Sequence, residues 1–139
     1  MSNIRREAGV WKAKANDKIL YIKIIAEDTS LTVGDGKAKL SIPSEYNGMN
    51  LINAHAAIYT VSSSGLPTVQ IHNLTDGVDM LSTLITIDVS ELNSYTAAAQ
   101  PVINTDNDAV ATGDILRIDV DLAGTGVTGL DIILTFGLP

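Results

Sequence analysis

Apolar and polar side chains alternate with a period of two along most of this chain. In "KAKLSIP" Ala38, Leu40 and Ile42 point one way and Lys37, Lys39 and Ser41 the other, the pattern of a half-buried strand that Pro43 ends. "ILRIDVDL" repeats it, with Leu116, Ile118, Val120 and Leu122 inward and Arg117, Asp119 and Asp121 outward. "LDIILTF" then puts Leu130, Ile132, Leu134 and Phe136 on one face. Similar runs at "KILYIKIIA", "MNLINAHAAIYTV", "TVQIHN" and "TLITIDV" bring the expected strands to seven, with an eighth around Pro101 to Asn104.

Turn signals separate these runs: "GDG", "NG", "SSSGLP", "TDG", "TDND" and "TGD". Only "SELNSYTAAA" suits a helical turn. Short strands at regular spacing predict an all-β chain, an antiparallel β-sandwich of jelly-roll-like topology. Residues 1–17 lack the pattern and are expected to form an extended N-terminal arm on a single sandwich domain spanning 18–139.

Composition narrows the core. The chain has 139 residues, enough for one ordinary domain, and is 45% hydrophobic but only 4% aromatic, so its interior must be aliphatic. The absence of cysteine excludes a disulfide scaffold, a thiol nucleophile and a finger-type zinc site. No apolar run reaches the ~20 residues of a membrane helix. The first residues lack the apolar centre of a signal peptide, so synthesis without export is expected.

Net charge is −7, and its placement matters more than its sum. Residues 1–39 hold eight of the nine Lys and Arg against five acids, giving +3. Residues 40–139 hold Arg117 alone against eleven acids, giving −10. An acidic body repels phosphate, which argues against a nucleic-acid partner. The basic start, with Trp11 as an apolar anchor, suits an arm that seeks an acidic surface.

Candidate chemistry is sparse. Gly124, Gly126 and Gly129 in "AGTGVTGLDIILTFG" have dinucleotide-fingerprint spacing, but that motif needs a helix to receive the phosphate. These glycines lie between two strands and read as a flexible hairpin connection. Asn104, Asp106 and Asp108 have calcium-loop spacing, yet Ala109 stands where glycine is needed and Ile115 where glutamate is, so an Asx-turn loop is the expectation. His72 shares a polar face with Thr68 and Gln70. His55 shares a face with Leu51 and Tyr59, as a satisfied core or interface imidazole. No serine is paired recognisably with His and Asp, Asp119 and Asp121 read as a solvated strand face, and the sequon at Asn73 carries no weight without a secretory signal. No catalytic residue, cofactor or metal ligand set is expected.

The run "VGDGKAKLSIPSEYNGMNLINAHAAIYTVSSSGLPTVQIHNLTDGVDMLSTLITIDVSE", continued by "AAAQPVINTDNDAVATGDILRIDVDLAGTGVTGLDIILTF", resembles a small β-sandwich module of tailed-bacteriophage virion proteins. "GDGK", "IPSEYNGMNL", "DMLS", "TIDVSE" and "ATGDILRIDVD" carry the likeness, which covers residues 33–136 and leaves the arm unmatched. Similar modules serve as capsid decoration (cement) proteins and as tail-fibre tips. The resemblance implies a homotrimeric, non-enzymatic unit exposed on a virion and made in the host cytoplasm. A tail fibre needs a shaft, so a stand-alone module with a basic arm points to decoration. Arg5, Arg6, Trp11, Lys12 and Lys14 would then grip the major capsid protein. The alternative is a receptor-binding tip that recognises a host glycan through loops such as "SSSGLP" or "TDND", and a third reading is a small hydrolase.

Overall fold

The computed structural model describes residues 16–139, and in backbone alone residues 6–7 and 10–11. The chain is all β, with antiparallel sheets packed face to face. The strands are β1 (Arg6–Glu7), β2 (Val10–Trp11), β3 (Lys18–Ser30), β4 (Gly34–Ser41), β5 (Asn50–Ala57), β6 (Thr68–Asn73), β7 (Val78–Asp79), β8 (Leu81–Thr83), β9 (Ile85–Thr86), β10 (Val102–Ile103), β11 (Ile115–Leu122) and β12 (Thr128–Gly137).

One sheet has the order β3-β12-β5. A second has β4-β11-β6-β7, with β9 also on β6, and β10-β8 and β1-β2 form separate two-stranded ladders. Strands β3, β4, β5 and β6 alternate between the layers, as do β11 and β12: β12 sits between β3 and β5, and β11 between β4 and β6. This nested pairing is jelly-roll-like. Two short 3-10 turns, Ser44–Tyr46 and Ser94–Thr96, are the helical content among the described residues, the second inside the "SELNSYTAAA" stretch. The seven expected strands and the eighth at Val102–Ile103 are present, although "TLITIDV" contributes only Ile85–Thr86 and the last residue of β8.

The core lies between the layers and is aliphatic. Leu116, Ile118, Val120, Val69 and Ile71 from one sheet meet Leu130, Ile132, Leu134, Leu51, Ala54 and Ala56 from the other, all 1% exposed or less. Each such Ile or Leu contributes about 1.5–3 kcal/mol of burial, so the alternation itself drives the two sheets together. Phe136 closes one end of the core, with Tyr46 edge-on at 5.3 Å and 88°.

Four expectations are corrected. The glycine segment is not a hairpin: β11 and β12 belong to opposite sheets, so residues 123–127 arch between layers. Nor is it loose, because Thr125 N–H donates to Ser62 Oγ (3.1 Å) and its carbonyl accepts from Ser63 N–H (3.0 Å). Leu122 is 57% exposed rather than inward, because the register slips between Val120 and Leu122. A second slip beside Leu51 turns Leu51 to the core and leaves His55 on the outer face, so the two do not share a side. Asp119 points outward as expected but is buried, at 4% exposure.

Candidate functional site

The two ends of the sandwich differ. At one end the chain enters β3, where Lys18 pairs with Phe136 as β12 finishes and Gly137 pairs with Asn50 as β5 begins. The "TDND" turn is here too: Asn50 bridges Ala109, and Leu51 N–H donates to the Asp108 carbonyl at 2.8 Å. At the other end lie "SSSGLP", the 123–127 arch and the turn after β3, tied by Ser63 N–H to the Thr125 carbonyl and Leu31 N–H to the Val127 carbonyl, both 3.0 Å. The two loops named above as receptor contacts therefore sit at opposite ends and cannot form one site.

Residues 16–17, the last of the expected arm, thus lead into edge strand β3 at this end. Of the proposed capsid contacts, Arg5, Lys12 and Lys14 lie outside the described residues. Arg6 and Trp11 are described in backbone only, as partners in the β1–β2 ladder.

The outer faces of the two sheets also differ. Across β4, β11, β6 and β7 the outward row reads Lys39, Arg117, His72, Asp79. Arg117 holds Asp119 in a fork, Nε to Oδ1 at 2.8 Å and Nη2 to Oδ2 at 2.9 Å, while Oδ1 also accepts from Gly36 N–H at 2.9 Å. That carboxylate pins two strands together and is no solvated face. The hydrogen bond to Asp119 raises the Arg117 pKa. His72 Nδ1 lies 2.7 Å from Asp79 Oδ1. Partial burial, with Asp35, Asp119 and Asp79 nearby, pushes Asp121 above the usual carboxylate value. Its charges include two close pairs, Arg117 with Asp119 and His72 beside Asp79.

The outer face of β3-β12-β5 is aromatic instead. Its central row is Tyr21, Ile133, His55, and the next is Lys23, Asp131, Ala57. Tyr21 and Lys23 both donate to Asp131, Oη to Oδ2 at 3.1 Å and Nζ to Oδ1 at 3.0 Å. The bond to Asp131 raises the Lys23 pKa, and Tyr21 is raised by desolvation and by Asp131, so both stay protonated donors. Tyr95, on the Ser94–Thr96 turn, stacks on His55 with ring centroids 4.0 Å apart and 22° between planes.

A serine and a histidine do meet here, 39 positions apart in the chain. Ser94 Oγ is 2.7 Å from His55 Nδ1 and accepts from Ala56 N–H at 3.0 Å. Ser94 is 0% exposed, so its hydroxyl serves as a pin between the turn and β5. Burial lowers the His55 pKa. Asn104 Oδ1 accepts from Asp106 N–H at 3.1 Å, the Asx turn expected of that loop. Among the described residues no three His, Asp or Glu side chains converge to hold a metal ion. Asn73 is 0% exposed, and its amide donates to Asp114 and Asp76, so the sequon nitrogen is sequestered.

No protein-family model, curated protein or solved structure matches the chain.

Proposed function

We propose that the chain is a virion structural protein of a tailed bacteriophage, a homotrimeric decoration protein that attaches to the major capsid protein through its N-terminal arm. The likeness of residues 33–136 to virion modules supports this reading, and the jelly-roll sandwich is compatible with it. The observation that carries it is the polarity of the molecule. The arm springs from one end of a rigid sandwich, next to β12's last residues, and the "SSSGLP" loop and glycine arch occupy the far end. A module fastened at one end and exposed at the other suits the outside of a shell.

Charge supports the same arrangement. Arg5, Arg6, Lys12 and Lys14 lie within the first fourteen residues, and the sandwich is acidic, so the arm seeks carboxylates. Copies placed at three-fold positions contact several capsid subunits at once, and such multivalency strengthens a lattice without any single tight contact. The direct test is localisation: gold-labelled antibody against the chain should mark the heads of intact particles. Labelling of tails alone would replace this reading with the receptor-binding one.

A further inference from the structure

Tyrosine is spent unevenly in this chain. Of the four, Tyr46 packs in the core on Phe136. Tyr21, Tyr59 and Tyr95 are 63%, 64% and 54% exposed, and all three stand on or beside the outer face of β3-β12-β5. In a protein so poor in aromatics, three large apolar rings left facing water on one face mark a recognition surface.

The geometry says what kind. His55 is only 6% exposed beneath the stacked Tyr95 ring, so the opposite face of that ring is open to solvent as a flat platform. Two positions along β5 from His55, at Ala57, is a small cleft lined also by Lys23, Glu27, Tyr59, Gly129 and Asp131. Its floor is kept low by Gly129, where an added Cβ would lie 3.0 Å from Tyr59 Cβ and where φ is +74°. Its polar groups are pre-set, since Asp131 is held by both the Tyr21 hydroxyl and the Lys23 ammonium, and Lys23 is 3.5 Å from Glu27.

We propose that this face binds a neutral oligosaccharide. The C–H face of a pyranose stacks on the open side of Tyr95, its hydroxyls join the Lys23, Asp131 and Glu27 groups in the cleft, and Tyr59 supplies a second apolar wall. Stacking rings with a few fixed donors and acceptors is the combination such a ligand requires. A protein partner fits less well. The core of a protein interface is depleted in charge, and covering this face with a second chain would strip water from the Lys23, Glu27 and Asp131 cluster. A sugar replaces that water with hydroxyls. The cluster carries one positive and two negative groups on an acidic body, which repels uronic and sialic acids and selects uncharged sugars. The site needs no capsid and no arm, so its failure leaves the virion reading untouched.

The test uses the purified full chain against neutral gluco-, galacto- and manno-oligosaccharides, read by saturation-transfer NMR and titration calorimetry. At least one series should bind, Tyr95→Ala should weaken it tenfold or more, and Tyr95→Trp should restore it. Tyr59→Ala, which leaves the His55 stack intact, should also weaken binding at an unchanged melting temperature. The proposal is overturned by no binding to any neutral series, or by affinities equal in wild type and both alanine variants. It is equally overturned if those variants dissociate the oligomer while glycan binding is unaltered, which would make the face a subunit contact.

Discussion

Ser94 Oγ stands 2.7 Å from His55 Nδ1 and 3.0 Å from the Ala56 amide nitrogen, with all three groups shut away from water by Tyr95 and the sheet. The hydroxyl accepts from the amide and is hydrogen-bonded to the ring nitrogen as well, and burial favours the neutral form of His55. One side chain thereby fastens the Ser94–Thr96 turn onto β5.

Ser94→Ala leaves a buried amide and a buried ring nitrogen unpaired. The expected loss is about 1–3 kcal/mol, read as a lower urea midpoint with unchanged slope. Ser94→Thr, which keeps the hydroxyl, should lose less.

The same pair sets a pH dependence. Burial puts the folded His55 pKa below its unfolded value of about 6.5. The unfolded chain therefore takes up the proton first, and stability is full above that value and falls as pH drops toward the folded pKa. Unfolding midpoints measured from pH 8 down to 4.5 should decline across this window, and His55→Gln should remove that part of the decline. A wild-type curve parallel to that of the variant would contradict the assignment.

Asp119 ties β11 to the start of β4 through Arg117 and the Gly36 amide. Asp119→Ala leaves the Gly36 amide without its acceptor and a half-buried guanidinium with only the looser Asp35 contact at 3.6 Å, at a cost of about 2–4 kcal/mol. Asp121→Ala, two positions on at a more exposed site, should cost far less. Thermal unfolding of the two variants side by side checks the contrast.

Gly124 tests the arch between the sheets. Its φ is +69°, and an added Cβ would fall 2.5 Å from Ser62 Oγ, so Gly124→Ala meets both backbone strain and a clash. A loss of about 2 kcal/mol or more is expected, whereas Gly126→Ala, with the same backbone sign but open space around it, should cost less.

Local pattern made the strands readable. Leu130, Ile132, Leu134 and Phe136 alternate and are all buried, and Leu116, Ile118 and Val120 behave likewise. Alternation fails where the register slips. Leu122 looks like the next inward residue and is exposed, and His55 looks like a partner of Leu51 and faces the other way, because a bulge adds a residue that no propensity marks. The two-residue strand β7 and the three-residue β8 are too short to show a period at all.

Contacts distant in sequence were less legible still. Asp119 reads as one acid in an exposed row, and only the fold brings Gly36 N–H to it from 83 positions away. The Ser94 and His55 pair spans 39 positions. The aromatic face is the intermediate case: exposed Tyr21 follows from strand parity, but Tyr95 joins it only because the Ser94 turn is pinned across β5. A count of tyrosines against so aliphatic a core was the one signal in the sequence that could have drawn attention to it.

The central claim is that the sandwich folds by itself and the arm does the fastening. Deleting residues 1–17 tests both halves at once. The shortened chain should melt within a few degrees of the full one, yet its occupancy on particles assembled in its presence should fall at least tenfold. Undiminished occupancy would show that the arm is not the clamp, and a collapsed melting transition would show that the sandwich depends on it.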